Sequence, residues 1–172
     1  MRAFLDSLYR LSGGLAAIGM IATLVLVGAG VFSRPLGIYL PGTDDYAGYA
    51  MAACGFLALA YTFKHGEHIR VSLVLERAGP RLRAALEWFS LATATAVAAM
   101  LAFYALRLVW QSHEFEEISQ GVDATPLWIP QLSMAIGSVV LLIALVDDLV
   151  LTTLGRAPTR LANHSGEAAR ME

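Results

Sequence analysis

Cysteine is almost absent from this chain. Cys54 is the only one, and it lies inside an apolar run, so neither a disulfide framework nor a cysteine-rich metal site can be built. An excess of positive charge is also missing: the formal net charge is −2, which argues against a nucleic-acid partner. No charged residue stands near the middle of any long apolar run, no inverted repeat announces itself, and no two histidines face each other at the depth of a membrane. A stand-alone proton-coupled carrier would need a buried ionisable group. A membrane cytochrome would need histidine haem ligands. A nucleophile, oxyanion donors and an acid or base in one place are likewise not discernible, which removes most enzyme classes.

What the chain has in quantity is apolar surface. Its 172 residues are 57% hydrophobic, more than one small soluble core can hide. The run from Leu11 to Ser33 has no charge, and about 23 residues suffice to cross a hydrocarbon core as a helix. A cleaved signal peptide is the rival reading, since Arg2 and Arg10 precede the run and Val27-Gly28-Ala29 loosely resembles a cleavage site. The run is too long for that, because signal cores are usually about 7 to 15 residues. Further spans are read at 46–63, 88–106 and 129–146. The expectation is an all-α integral membrane protein of four transmembrane helices forming one domain over 1–154, followed by a disordered cytoplasmic tail over 155–172.

The charges are bunched between the runs. Arg34-Pro35 to Pro41-Gly42 reads as a turn-rich connector. Asp44 and Asp45 open the second span, where carboxylates suit the unpaired amides of a helix N-terminus; a cation-binding or partner-contacting acidic pair is the sharper reading. Along the second span Gly48 and Ala52 stand four apart, as do Ala50, Cys54 and Ala58, which reads as a stripe of small side chains along one helical face, so helices can approach closely and Cys54 serves packing. The third span is small-sided throughout, which predicts packing on more than one face and the deepest burial of the four.

Between the second and third spans lies the basic segment that begins Phe63-Lys64-His65-Gly66-Glu67-His68-Ile69-Arg70-Val71. His65, Glu67 and His68 could in principle hold a metal, but Gly66 interrupts the helix and no further ligands are near; interfacial anchoring is the plainer role. Over 69–78 the apolar positions fall at helical spacing with Arg70 and Arg77 opposite, the pattern of an in-plane amphipathic helix. Gly79 suits a left-handed helix end there and Pro80 the first turn of the next helix.

Past the third span, His113, Glu114, Glu116 and Glu117 read as a helix emerging into water. Arg107 lies among Leu106, Leu108 and Val109, against the positive-inside bias, and is expected to pair with Asp44 or Asp45. The fourth span opens with Pro126-Leu127-Trp128-Ile129-Pro130-Gln131, placing Trp128 at headgroup level. Asp147 and Asp148 end it near the inner interface, where Lys64 or Arg70 could serve as a basic partner. About ten Lys and Arg fall in the N-terminus, middle loop and tail against about two in the other loops, so both termini are expected in the cytoplasm.

Three features resemble the small membrane subunit, the DctQ type, of the tripartite ATP-independent periplasmic (TRAP) transporters. They are the acidic pair Asp44-Asp45, the segment Gly66-Glu67-His68-Ile69-Arg70-Val71, and Pro126-Leu127-Trp128-Ile129-Pro130-Gln131 with Gly137. The family often has a tryptophan and glutamates at the acidic pair and a proline where this chain has Ala135. The resemblance implies a scaffold subunit of a bacterial inner-membrane importer. A periplasmic binding protein would deliver an organic acid to a large membrane subunit driven by a sodium gradient. It puts substrate and sodium sites in that large subunit and no cofactor, metal or catalytic residue in this chain. Asp44, Asp45, Lys64, His65, Glu67, His68, Arg70, Arg107, Trp128, Gln131, Asp147 and Asp148 are the candidates for contacts with partner subunits or lipid. A membrane anchor of a redox enzyme, marked by a visible-absorbing cofactor, and a self-sufficient small exporter, marked by transport in liposomes, are the rival readings.

Overall fold

The computed structural model describes residues 2–65 and 79–154 and is helical apart from its connecting loops. Helix α1 spans Arg2–Ser33, α2 Thr43–Lys64, α3 Pro80–Glu114 and α4 Trp128–Thr153. All four are long and apolar enough to cross a membrane. The in-plane helix expected over 69–78 and the tail over 155–172 lie outside the described residues.

The helix ends follow from backbone chemistry. At the end of α1, Gly37 takes φ of 68°; its N–H donates to Arg34 O at 3.2 Å and that of Ile38 to Ser33 O at 3.0 Å. This is the Schellman arrangement, in which a left-handed glycine closes the last open carbonyls. Gly42, with φ of 75°, then turns the chain into α2. Before α3, Gly79 is extended rather than left-handed, with φ of −61° and ψ of 158°, while Pro80 occupies the first turn as expected.

The helices run further than the uncharged stretches that announce them. α1 begins before Asp6 and Arg10, α3 extends through Arg107, and α4 continues past Asp147 and Asp148 to Thr153. Charge marks where a helix leaves hydrocarbon, whereas backbone hydrogen bonding ends only at a breaker or a cap.

The spatial order is α1, α2, α4, α3. α1 packs on α2, α2 on α4 and α4 on α3; α1 meets α4 only marginally, so the four helices form an open row rather than a closed bundle. Glycines set the close approaches. A β-carbon at Gly137 of α4 would come within 2.5 Å of the Phe56 backbone on α2, and one at Gly13 of α1 within 2.7 Å of the Tyr61 ring. Gly19 sits against Ala50 and Cys54, so that part of the stripe read from the sequence is the α1 seat, whereas Gly48 and Ala52 line a separate face.

The third span is not the most deeply buried. Burial reaches 44% in the most apolar window of α4, against 22% in α2 and α3. Ala98, Ala102 and Ala105 of α3 are buried, while Phe89, Val97, Met100 and Phe103 are exposed. The small side chains serve one close contact, with α4, instead of two. Near the end that carries the N-terminus, Tyr9, Phe63, Leu91 and Leu145 bring all four helices into one apolar cluster.

Candidate functional site

Polar chemistry is concentrated at the two ends of the row. At the end carrying the N-terminus, Lys64 closes α2 and turns inward. Its Nζ donates to Asp147 Oδ2 at 2.7 Å and to Asp148 Oδ1 at 3.4 Å. The Lys64 and Asp148 side chains are 6% and 0% exposed and that of Asp147 29%, so this is a desolvated ion cluster bridging α2 and α4. Its location follows from sequence: both carboxylates stand late in α4, and α2 runs parallel to it, so the two helices end at the same face. Tyr9 of α1 completes the surroundings, its ring centroid 5.2 Å from Lys64 Nζ. The Lys64 partner was anticipated, but Tyr9 was not; an aromatic near a basic N-terminus carries no signal of which charge it will meet.

His65 follows as the α2 C-cap. Its Nδ1 donates to Tyr61 O at 2.8 Å, and its ring stacks on Tyr61 at 4.0 Å between centroids. Glu67, His68 and Arg70 lie outside the described residues.

At the opposite end the α3–α4 loop folds over the start of α2. Tyr49 Oη donates to Ser119 Oγ at 2.8 Å. The Ser119 N–H donates to Thr125 O at 2.8 Å and the Leu127 N–H to Glu117 O at 2.9 Å, which gives the loop a short antiparallel bridge between Ile118 and Pro126. Asp44 and Asp45 lie in the first helical turn with no side-chain capping bond, so their carboxylates favour the helix dipole without closing an amide. The Asp45 carboxylate lies so close to Gly121 that a side chain there would collide with it. Ser112 Oγ donates to Glu117 Oε2 at 2.7 Å and Trp110 Nε1 to Glu114 Oε2 at 3.0 Å, while the His113 ring meets Trp128 edge-on at 5.5 Å.

The expected pairing of Arg107 with Asp44 or Asp45 is not what the structure holds. Arg34 approaches Asp44, at 3.9 Å with both side chains largely exposed. Helix order explains the difference: α4 stands between α2 and α3, so Arg107 on α3 is separated from the start of α2. Arg107 instead lines an open groove with Tyr104, Gln111 and Met134. Gln131, in the first turns of α4, keeps its Oε1 buried with no hydrogen-bond partner among the described residues.

A second groove, of about 460 Å³, runs along α2 between Gly48, Ala52 and Gly55, with Met51, Phe56 and Leu59 as its walls. β-carbons at Gly48 and Gly55 would meet nothing. Unlike the α1 seat, this small-residue face is left open.

A family model for the DctQ component of tripartite ATP-independent periplasmic transporters matches residues 23–155. The chain belongs to the DctQ family. The match runs from within the first apolar helix to just beyond the fourth, and all three features that carried the resemblance fall inside it. This DctQ chain is therefore a multi-pass membrane component of a transporter and not an enzyme. No curated protein and no solved structure matches it.

Proposed function

We propose that the chain is the small scaffold subunit of a sodium-coupled TRAP importer in the bacterial inner membrane. Both termini face the cytoplasm, and an organic carboxylate delivered by a periplasmic binding protein is carried by the large membrane subunit. Membership of the DctQ family is the observation that carries this reading. The distribution of Lys and Arg supports the orientation. Sodium and substrate sites belong to the large subunit, and this chain contributes rigid helices.

The geometry suits bracing. An open row leaves broad apolar faces uncovered, and an apolar face in a membrane can be covered by lipid or by another helix. The groove along α2 favours a helix, because Gly48, Ala52 and Gly55 allow backbones to approach as closely as Gly137 and Phe56 do inside the chain. The large subunit is the partner we assign to it.

The test is a pull-down of the tagged full-length chain from its native membrane in mild detergent. A stoichiometric large carrier subunit is expected, and Gly48→Leu with Gly55→Leu should lose it while the chain still folds. A chain that emerges alone and moves a solute in liposomes would refute the scaffold reading.

A further inference from the structure

The groove on α3 differs from the one on α2 by containing a cation. Arg107 is exposed and has no acidic partner within ion-pair distance among the described residues. It lies seven residues before the end of α3 at Glu114, about 10 Å along the helix axis. A guanidinium at the edge of an apolar span is best satisfied by an anion that meets it.

The groove, of about 420 Å³, is mostly apolar with a few polar side chains among its lining. Tyr104, Arg107 and Gln111 stand at helical spacing on one ridge and supply hydroxyl, guanidinium and amide donors. Leu101, Ala105 and Leu108 form the neighbouring ridge, and Met134 of α4 closes the far wall. A cation and two further donors beside an apolar trough match a molecule with an anionic head and a long apolar chain. Trp110, which is 73% exposed one turn beyond Arg107, marks headgroup level, where amphipathic rings accumulate.

We infer that this groove is a binding site for one anionic phospholipid, its phosphate held by Arg107 with Gln111 beside it and an acyl chain along Leu101, Ala105 and Leu108. Arginine suits a phosphate because its planar fork can donate two parallel hydrogen bonds. A carboxylate from a partner subunit is the competing occupant. It would have to be supplied by another chain, whereas lipid phosphates line the headgroup level that Trp110 marks one turn from Arg107. The inference rests on the chain spanning a membrane and not on the identity of its partners.

Trp110 provides the reporter. The full-length chain with Trp88→Phe and Trp128→Phe is reconstituted in phosphatidylcholine vesicles, and quenching by brominated phosphatidylglycerol is compared with quenching by brominated phosphatidylcholine of the same chains. The expected result is about a fivefold preference for phosphatidylglycerol, the scale of one basic residue beside an anionic headgroup. Arg107→Gln should reduce the preference to none and Arg107→Lys should retain part of it. Equal quenching by both lipids in the parent, or an undiminished preference in Arg107→Gln, overturns the site. A preference that survives while Arg107→Gln abolishes co-purification of another membrane protein overturns it in favour of a protein carboxylate. If neither lipid quenches Trp110, the membrane-spanning reading itself fails and the site with it.

Discussion

Lys64, Asp147 and Asp148 show how much a single residue can decide when charge is buried. Two carboxylates and one ammonium sit where water is largely excluded, and removing one partner of such a cluster leaves the others uncompensated. Lys64→Met is therefore expected to destabilise the chain by about 3–5 kcal/mol, read as a lowered midpoint in thermal or denaturing-detergent unfolding. Adding Asp147→Asn and Asp148→Asn should return most of that loss, because neutral groups do not repel one another; a triple variant as weak as Lys64→Met would show that the lysine acts through packing instead. The pair was legible in the sequence, since a lysine closing one span and aspartates late in another must meet at the same membrane face. Arg107 was misread, because sequence says which face a charge is near and not which helix stands between it and its partner.

Among elements, the crossing of α2 and α4 depends on one missing side chain. A β-carbon at Gly137 would come to 2.5 Å from the carbonyl carbon and oxygen of Phe56, and backbone cannot rotate aside as a side chain can. Gly137→Ala should force the helices apart and cost about 1–3 kcal/mol, whereas Gly48→Ala, which meets nothing, should leave unfolding of the isolated chain unchanged. Equal midpoints for the two variants would show that the crossing relaxes freely. All four helices were readable from runs without charge, and each continues past its run where a charge lies inside the helix, as at Arg10, Arg107 and Asp148. The rank of burial was also out of reach. Alanine at helical spacing signals that something approaches closely, and α3 uses that capacity once, against α4, while the heavier side chains of α4 fill the centre of the row.

At the scale of the molecule, an open row of helices makes sense only if other apolar matter completes it. The acidic residues Asp44, Asp45, Glu114, Glu116, Glu117 and Asp123 gather at the end with the α1–α2 and α3–α4 loops, and Arg2, Arg10 and Lys64 at the other. Basic residues are retained on the cytoplasmic side of a bacterial membrane, so this asymmetry supports the orientation proposed above, with both termini in the cytoplasm, and its test is which end is accessible from outside. In a Cys54→Ser background, Val122→Cys in the α3–α4 loop should react with an impermeant maleimide in intact spheroplasts, and Asp6→Cys in α1 only after lysis. The reverse pattern would turn the chain over and place the loop that clamps α2 in the cytoplasm. The α3–α4 loop would then be unable to meet a periplasmic protein, and the orientation proposed for this chain would be overturned.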